Sequence, residues 1–293
     1  MNNPETGKLN DTVTHLATSG SLPAHIGFVG TGNMATAIMG GLLAAGYEPD
    51  QISGGDPSDS AREQWAARGI TALSVDAADV IAEADLVILA VKPQVMQAVT
   101  HSLRETLKKD AVVMSIAAGV TVKALQEMFQ NSELRVVRCM PNTPALIGLG
   151  ASGLFASAAV SPEQKQQVGS VMQVVGTAFW LEHESQIDAV TAVSGSGPAY
   201  FFAFIEAMIK AGEKLGLEHG IATQLTLQTA LGAASLANNS NEPVDILRKN
   251  VTSPGGTTAR ALDSFDRAGL SKVVSQAMEA CFDRAVEMSE EYK

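Results

Sequence analysis

Two glycine-rich turns, each directly before a helical pattern, are the segments of this sequence best suited to bind anionic groups. The first follows an apolar run and reads Gly30-Thr31-Gly32-Asn33-Met34-Ala35. Gly30 permits a tight turn, Gly32 has no Cβ to obstruct a pyrophosphate, and Ala35 is small enough for the helix to pack on the strand. Because a helix N-terminus attracts negative charge, these six residues predict a dinucleotide site at the first strand–helix connection.

The end of the second strand carries residues that would select between NAD and NADP. Asp56 follows the glycines at about the spacing at which an acidic residue binds a ribose 2′-hydroxyl, which favours NAD. Ser58 and Arg62 follow closely and could receive a 2′-phosphate, which favours NADP. Asp56 could also simply start a turn or cap the next helix. The choice between the two cofactors stays open at this point.

Two further strand ends could face the same cofactor, because ligands of open α/β sheets bind at the carboxyl ends of the strands. The fourth strand ends in Ala90-Val91-Lys92-Pro93, which could direct Lys92 at the cofactor, although lysines at strand ends are often only solvated. The fifth ends in Ala117-Ala118-Gly119, whose small residues would let a flat nicotinamide lie close to the backbone.

The second glycine-rich turn lies near the C-terminus and reads Thr252-Ser-Pro-Gly-Gly-Thr-Thr258. Its Pro-Gly-Gly segment predicts a turn with open backbone N–H groups, followed by a helix that starts at Thr257 or Thr258. A turn that leads into a helix N-terminus suits a carboxylate. The alternative is an ordinary Pro-Gly turn with a threonine N-cap.

The elements that must position these turns change character along the chain. Residues 24–184 alternate apolar strand patterns with helical patterns, which predicts a doubly wound, Rossmann-type α/β sheet. The predicted strands are His25–Val29, Gln51–Gly54, Ile70–Leu73, Leu86–Val91, Ala111–Ile116, Arg135–Met140, Gly153–Ala156 and Thr177–Leu181. The helices predicted between them are Asn33–Ala45, Ser60–Arg68, Val95–Leu107, Thr121–Gln130 and Pro162–Val175. Residues 1–23 are polar and are expected to be a disordered extension.

Residues 185–293 show long helical patterns only, and we expect an all-helical second domain. The predicted helices are Pro198–Leu215, Ile221–Asn238, Val244–Asn250, Thr258–Ala268 and Leu270–Glu291. The glycines of Ser194-Gly-Ser-Gly-Pro198 suit a tight hinge before the first of them. Ala, Gly and Ser occupy faces that would otherwise be surface, as in Thr229–Ala237, which favours packing against a second copy of the chain. Core packing within one subunit is the alternative.

Composition excludes several classes of function. The formal charge of −11 disfavours a general nucleic-acid or membrane-surface binder. The only two cysteines are far apart in sequence, which favours a reducing compartment. The five histidines lack the paired spacing of metal ligands, which disfavours a structural metal site. No basic, apolar leader and no run of about 20 apolar residues occurs. We therefore expect a cytoplasmic protein that acts on a small molecule.

Taken together, the motifs make the chain similar to the pyrroline-5-carboxylate reductases over nearly all its length from His25. The matching segments are 28–35, 90–94, 115–119, 138–145, Val193-Ser-Gly-Ser-Gly-Pro-Ala-Tyr200 and Val251-Thr-Ser-Pro-Gly-Gly-Thr-Thr258. The first is generic to dinucleotide-binding proteins, whereas the last two, in this order and at this separation, are nearly diagnostic. One departure is Ala77, where the family often has an asparagine near the adenosine.

The resemblance implies an NAD(P)H-dependent reduction of the cyclic imine of pyrroline-5-carboxylate to proline. It also implies helical domains that intertwine in a homodimer, with dimers assembled into a larger ring. On the cofactor side the family pattern points to Val91, Lys92, Ala118 and, next to the nicotinamide, Asn250. These positions add to the six residues of the first turn and to Asp56.

On the substrate side the resemblance places the carboxylate on the N–H groups of Gly256 and Thr257, aided by the Ser253 hydroxyl. The Thr258 hydroxyl would lie beside the ring nitrogen, which makes it the expected catalytic residue. Glu184 corresponds to a substrate-side position and could favour a positive iminium. A protonated imine is already an electrophile, so orientation and electrostatics would supply most of the rate acceleration.

Two other functions remain as alternatives. A β-hydroxyacid dehydrogenase shares the domain plan but needs a lysine early in the first long C-terminal helix. Gly197–Glu206 has none, and Lys210 lies three turns into the helix. A non-catalytic NAD(P)-sensing protein would keep the first turn but would not need the carboxylate site of the second.

Overall fold

The computed structural model describes residues 22–292, so the predicted extension 1–23 lies outside the described residues except for Leu22 and Pro23. These two belong to the folded part. Pro23 is buried and its carbonyl accepts a hydrogen bond of 2.7 Å from the Tyr47 hydroxyl. Leu22 packs on the hydrophobic core. The prediction of a disordered extension is therefore wrong for Leu22 and Pro23.

A single eight-stranded sheet organises the first part of the chain. Its strands are β1 Ile26–Val29, β2 Ile52–Gly55, β3 Ala72–Ser74, β4 Leu86–Leu89, β5 Val112–Ser115, β6 Arg135–Met140, β7 Gly150–Ala156 and β8 Gly176–Trp180. The spatial order is β3-β2-β1-β4-β5-β6-β7-β8, and all neighbours are parallel except the antiparallel pair β6–β7. The first six strands thus have the Rossmann order, with its reversal between β1 and β4.

Both faces of the sheet are buried, as the continuous apolar runs predict for parallel strands. Side chains alternate between two cores along each strand. Ile26 and Phe28 of β1 enter one core, whereas Val29 enters the other. In β4, Leu86 and Ile88 face the first core and Val87 and Leu89 the second. The covering helices are α1 Asn33–Ala44, α2 Asp59–Ala66, α3 Met96–Leu103, α4 Val122–Met128 and α5 Pro162–Gln173.

Side-chain caps set the start of most of these helices. The Ser161 hydroxyl accepts a hydrogen bond from the Gln164 N–H, and the Gln164 Oε1 accepts one from the Ser161 N–H. This pair of bonds forms a capping box for α5. Ser58 caps α2 and Thr121 caps α4 in the same way with one bond each. The N-cap of α1 is instead Gly32, which has no side chain to offer.

The remaining helices are α6 Gln186–Val190, α7 Gly197–Lys214, α8 His219–Asn239, α9 Val244–Asn250, α10 Thr257–Arg267 and α11 Leu270–Glu291. The five long helices predicted for the C-terminal half are therefore present with ends shifted by at most two residues. The hinge predicted at Ser194–Pro198 is not a loop. Thr191–Gly195 forms a π-helical turn between α6 and α7, so the helical hydrogen bonding continues through it.

By its contacts the described chain divides into two compact units. An α/β unit contains the residues up to Ser196 and those from Cys281 onward, and a helical unit contains Gly197–Ala280. The division falls later than the boundary at residue 184 expected from the end of the strand patterns, because α6 packs on β6 and β7. The second half of α11 belongs to the α/β unit, which the sequence did not predict.

Candidate functional site

The point where the strand order reverses carries an open cavity. Its volume is about 620 Å³, and its lining includes Gly30, Gly32, Asp56, Ala77, Val91 and Lys92. These residues follow the carboxyl ends of β1, β2, β3 and β4, which is where open α/β sheets bind their ligands. The structure therefore brings the first glycine-rich turn together with two of the strand ends singled out in the sequence.

The backbone of the first turn is shaped for a close-approaching phosphate. Gly30 has a φ of +90°, and a Cβ there would lie 2.8 Å from the Ala90 carbonyl oxygen, so this position requires glycine. At Gly32 a Cβ would meet no heavy atom within 4 Å, so the space beside it is open. The first N–H groups of a helix have no partner within the helix, and Gly32 caps α1 without a side chain.

Thr31 adds a polar atom to this turn. Its Oγ1 is buried and has no hydrogen-bond partner among the described residues. An unpartnered buried hydroxyl is costly, of the order of 1–3 kcal/mol, unless a ligand or water completes it. Together with the open space at Gly32 and the free helix N-terminus, this hydroxyl fits the pyrophosphate of a dinucleotide.

Asp56 ties the first turn to the end of β2. Its Oδ2 accepts a bond of 2.7 Å from the Thr31 N–H, and its Oδ1 accepts one of 2.9 Å from the Ser58 N–H. The carboxylate therefore fixes the shape of the glycine turn, and it still lines the cavity with its remaining lone pairs. Its bond to the Ser58 N–H, two residues on, confirms the turn alternative, whereas the helix-cap alternative is wrong because the cap of α2 is Ser58.

The two residues expected to favour NADP are already engaged by the protein. Arg62 forms an ion pair with Asp59 and donates to the Asp56 carbonyl. The Ser58 hydroxyl accepts from the Ala61 N–H and lies 3.1 Å from the Ser60 hydroxyl. A 2′-phosphate would have to compete with these partners, and it would also lie near the Asp56 charge.

The fourth and fifth strand ends lie beside the first turn in the sheet. Val91 lines the cavity, and the side chain of the exposed Lys92 has no hydrogen bond or ion pair with any described residue, although its carbonyl accepts from the Val95 N–H at 3.1 Å. Ala118 follows β5, which neighbours β4 on the side away from β1. The Ala117 N–H donates to the Ser115 hydroxyl at 3.3 Å, which helps to hold this segment.

Ala77, where the family often has asparagine, has a packing function. It is buried, lines the cavity and begins a short 3-10 helix, Ala77–Asp79. A Cβ on Gly55 would collide with the Ala77 backbone, so this short helix lies directly against the end of β2. The end of the cavity beside β2 is thus formed where this short helix packs on the strand, and its lining also includes Asp56 and Asp76.

The second glycine-rich turn lies in the helical unit. The Gly256 N–H donates to the Ser253 carbonyl at 3.1 Å, and Gly255 has a φ of +72°. With Pro254 second in the turn and glycine third, this is the type II pattern. The Gly256 N–H is therefore occupied, so its predicted role in binding a carboxylate would require this bond to open or to be shared.

The helix that follows this turn, α10, begins at Thr257, as expected. Its N-cap is Gly256, again without a side-chain cap. A Cβ at Gly256 would collide with the Ser253 Oγ, so that hydroxyl lies against the N-terminus of α10. Ser253 and Thr257 are exposed and Thr258 is half-buried in the single chain. The structure thus groups Ser253, Gly256, Thr257 and Thr258 around one helix N-terminus.

The other two predicted site residues are engaged elsewhere. The Asn250 Nδ2, at the end of α9, donates to Glu242 at 2.9 Å. In the α/β unit, Glu184 Oε1 accepts from the Val122 N–H at 2.7 Å and from Arg138 at 2.9 Å. One oxygen of Glu184 thus caps α4 and pairs with a buried guanidinium, which is a structural role. Its substrate role stays a prediction.

Two polar residues near these elements were not identified as site residues from the sequence. Arg138 is buried within β6, and a charged residue in an otherwise apolar strand was the available signal. Asn142 is also buried; its Nδ2 donates to the Ser194 carbonyl at 3.0 Å and its Oδ1 accepts from the Ala151 N–H at 2.9 Å. Asn142 thereby joins the loop after β6 to β7 and to the π-helical turn.

Other reactive side chains have structural surroundings. Cys139 is buried, and burial raises the pKa of its thiol to about 12, so it is held as a neutral thiol. Lys210 pairs with Glu206 on the exposed surface of α7. Within residues 22–292 there is no group of three or more His, Cys, Asp or Glu side chains that could hold a metal ion.

The fold and the first turn define a class: a dinucleotide-dependent oxidoreductase with a Rossmann-type α/β unit and a helical unit. One family model, described as NADP oxidoreductase coenzyme F420-dependent, matches residues 25–119. A second, described as pyrroline-5-carboxylate reductase dimerisation, matches residues 184–288. The two matches coincide with the cavity-forming part of the sheet and with the helical half.

The chain belongs to the pyrroline-5-carboxylate reductase family. It is 49% identical to the pyrroline-5-carboxylate reductase of Pseudomonas aeruginosa over 91% of this chain and 97% of that protein. The structure of the Coxiella burnetii enzyme superimposes with a TM-score of 0.87 at 39% identity, covering 91% of this chain and 98% of the other. The Plasmodium falciparum enzyme, with NADP bound, gives a TM-score of 0.81 at 30% identity over the same shares.

Proposed function

We propose that the chain transfers hydride from NAD(P)H to the C=N bond of 1-pyrroline-5-carboxylate, giving L-proline. The observation that carries this proposal is the agreement with curated reductases over nine-tenths of the chain, which includes both glycine-rich turns. The two turns provide the two kinds of anion site that the reaction needs, one for a pyrophosphate and one for a substrate carboxylate.

On the cofactor side, the six residues Gly30–Ala35 hold the pyrophosphate at the N-terminus of α1. The Thr31 hydroxyl gains a partner there, and Asp56 keeps the turn in shape through the Thr31 N–H. Val91, Lys92 and Ala118 border the path toward the nicotinamide, with Lys92 supplying a positive charge against the acidic character of the whole chain. When bound, the reduced nicotinamide supplies the hydride.

On the substrate side, the carboxylate lies at the N-terminus of α10. The N–H of Thr257, the next N–H groups of the helix and the Ser253 hydroxyl donate to it, while Gly256 contributes mainly by having no side chain. A carboxylate at a helix N-terminus gains about 0.3–1 kcal/mol when exposed and up to about 2 kcal/mol when partly buried. Burial of this exposed turn would therefore strengthen substrate binding.

The Thr258 hydroxyl orients the substrate ring by a hydrogen bond to its nitrogen. The protonated imine nitrogen donates to the hydroxyl before reaction, and as hydride adds to the carbon the C=N π electron pair becomes the lone pair of the amine, so a group that can both donate and accept suits this place. A protonated imine needs no strong general acid. Holding the C=N bond in register with the nicotinamide can supply on the order of 7–11 kcal/mol of the barrier reduction.

The chain forms a homo-oligomer through its helical half. In the single chain the 21-residue helix α8 has only two buried residues, Ala222 and Thr226. Large apolar side chains on neighbouring helices are also exposed, among them Phe201 at 70% and Val244 at 69%. A surface of this kind needs a protein partner, and a second copy fits the dimerisation match. We further propose that the dimers assemble into a larger ring.

The same apolar surface has a second physical interpretation. By length and composition the helical stretch Gln186–Lys214 could cross a membrane, a property it shares with core and interface helices of many globular proteins. It lies within the region matched by the dimerisation model. We therefore assign its exposed side chains to the subunit interface and propose a cytoplasmic location.

The test is a coupled comparison of both reduced cofactors with 1-pyrroline-5-carboxylate, followed by the absorbance of the reduced nicotinamide and by detection of proline. We expect substrate-dependent oxidation with at least one cofactor and an equal amount of proline. The ratio of the two Michaelis constants also settles which cofactor the enzyme prefers.

Two other outcomes have clear meanings. Cofactor binding, measured by fluorescence, without any oxidation would favour a nucleotide-sensing protein. Oxidation of a β-hydroxyacid by NAD(P)⁺ would favour the related dehydrogenases, but that chemistry needs a lysine early in α7, where Gly197–Glu206 has none; Lys210, farther along, is paired with Glu206. Either result would overturn the proposal.

A further inference from the structure

The end of α11 returns to the α/β unit at the segment that follows β5. From Cys281 onward the helix belongs to that unit. One of its faces is covered: Ala285 and Ser289 are buried, and Met288 and Tyr292 are half-buried. These positions repeat at three- and four-residue spacing, which is the spacing of one helix face. We call residues 285–292 the terminal buttress.

The buttress meets Ala117–Gly119 backbone to backbone. Gly119 is buried and has a φ of +79°, and a Cβ on it would lie 3.0 Å from the Met288 Cβ and 3.0 Å from the Met288 carbonyl oxygen. No side chain larger than hydrogen fits between the two segments without displacement. The position of this turn is thus set by direct contact with the helix.

Hydrogen bonds hold both partners of this contact in place. Ser289 donates to the buried Asp188 of α6 at 3.3 Å, which fixes the buttress. On the other side of the turn, Thr121 caps α4 and Glu184 accepts from the Val122 N–H. Glu184 in turn pairs with Arg138, whose register partner is Ser115 at the end of β5.

A small pocket of about 230 Å³ lies between these groups, lined by residues that include Thr121, Arg138, Asp188 and Ser289. The segment from Ser115 to Val122 is therefore held at its start, at its middle and at its end by three different elements. The middle contact, at Gly119, comes from the part of the chain that is farthest away in sequence, Met288.

We propose that the terminal buttress positions the Ala117–Gly119 wall against which the nicotinamide lies, with Gly119 and Ser289 as positioning residues for hydride transfer. This inference rests on the proposed function, because it takes the segment after β5 to be the nicotinamide wall. Neither residue touches the reacting atoms; both act through the backbone of Ala118.

The size of the expected effect follows from how steeply catalysis depends on distance. A misplacement of about 1 Å, produced far from the chemistry, can cost on the order of 100-fold in rate. A methyl group inserted at Gly119 faces contacts of 3.0 Å, and relief requires a shift of several tenths of an ångström. We expect a rate or affinity change of about tenfold.

The experiment compares Gly119→Ala with Gly148→Ala. Gly148 has nearly the same backbone strain, with a φ of +74°, but a Cβ there would meet nothing within 4 Å. Both variants therefore carry the left-handed cost of alanine, and only one presses on the buttress. We expect both to lower the melting temperature, and only Gly119→Ala to raise the cofactor KM and its fluorescence-measured Kd about tenfold, with the substrate KM changed much less.

A second pair separates the hydrogen bond from the strain. Ser289→Ala removes the donor to Asp188, whereas Ser275→Ala removes a similar bond, 3.0 Å to Glu279, from the exposed part of the same helix. We expect a threefold to tenfold rise of the cofactor KM for Ser289→Ala and no change for Ser275→Ala.

Equal cofactor constants for the two glycine variants would overturn the inference, as would a loss of stability alone. The proposed function is judged separately, by the turnover of the unmodified protein. A protein that binds cofactor but reduces no imine would defeat the function, while the difference in cofactor Kd between the glycine variants would still decide the positioning role.

Discussion

Two helices, α1 and α10, begin at a glycine N-cap, and their surroundings differ. Gly32 and Gly256 both act as N-caps without a side-chain bond, so a side-chain cap does not occupy the first N–H groups of either helix. The α1 turn lies in a cavity and is fixed by the Asp56 carboxylate. The α10 turn lies on an exposed surface and closes on itself through the Ser253 carbonyl.

This difference indicates that the α/β unit contains the features needed to bind the cofactor within one unit, whereas the substrate turn lacks burial. The first turn lines a cavity, is anchored by the Asp56 carboxylate and includes the unpartnered Thr31 hydroxyl, all within a single unit. The second has a formed helix N-terminus but little of the burial that makes such a site strong. Cofactor binding should therefore depend on local shape, and substrate binding on what covers α10.

The largest effect should come from filling the space beside α1. Gly32→Val places a branched side chain where the pyrophosphate would lie, and we expect cofactor affinity to fall about 100-fold, equivalent to roughly 2.7 kcal/mol. Titration of the reduced cofactor by fluorescence measures this. The matched control is Gly40→Val in the same helix, where a Cβ also meets no heavy atom within 4 Å. Equal losses for the two variants would remove the first turn from cofactor binding.

Next in size is the effect of removing the hydroxyl at α10. Thr258→Ala should lower kcat on the order of 100-fold, as loss of one hydrogen-bond partner at a reacting centre does. Cofactor Kd should stay near normal, which contrasts the two turns directly. Thr258→Ser keeps the hydroxyl and should restore most of the activity. If cofactor binding falls in parallel with kcat, Thr258 is not a substrate residue.

A smaller effect should distinguish the two functions of Asp56. Asp56→Ser removes the bond to the Thr31 N–H, so both cofactors should bind more weakly. It also removes the charge near a 2′-phosphate, so the ratio of NADPH to NADH efficiency should rise about tenfold, or roughly 1.4 kcal/mol. Steady-state kinetics with both cofactors measure the ratio. Asp50→Ser makes the same charge change at an exposed surface position, and a similar change in its ratio would point to general electrostatics.

The smallest effect concerns the anchoring of the buttress. Burial raises the pKa of Asp188, against the lowering effects of Arg138 and the Ser289 bond. The folded protein therefore keeps this proton at pH values where the unfolded chain has lost it, so this group contributes less stability as pH rises through that interval. Asp188→Asn should remove that slope. Thermal melts at a series of acidic pH values should show the unmodified protein losing stability relative to Asp188→Asn as pH rises; parallel melting curves would contradict the assignment.

The sequence predicted the sheet and the helices well because local patterns determine them. β6 runs from Arg135 to Met140 as predicted, and the apolar run predicted as Leu86–Val91 is strand up to Leu89. Helix starts coincided with their caps, as at Ser161. β7 begins three residues earlier than predicted, at Gly150, because small residues there carry little strand signal and are held by pairing with β8.

What the sequence could not predict depends on contacts between distant residues. Glu184 and Arg138 are 46 positions apart, and neither has a local pattern that points to the other. The bonds of Asn142 to both Ser194 and Ala151 are equally invisible in the sequence. The Gly256 bond to Ser253 is local, and the Pro-Gly-Gly pattern implied such a turn, but not that it would use this N–H. The glycine motifs could be identified from the sequence because a positive φ or a close backbone approach requires glycine at those positions.

The second half of α11, which belongs to the α/β unit, affects the order in which the protein folds during synthesis. Because the α/β unit is built from residues up to Ser196 and again from Cys281 onward, its last piece is synthesised only after the whole helical unit. The nascent Rossmann-type sheet can form beforehand, since its strands precede that point, but the wall after β5 stays without its support. Competence for hydride transfer should thus appear only after the second half of α11 has been synthesised, rather than when the cofactor turn first folds.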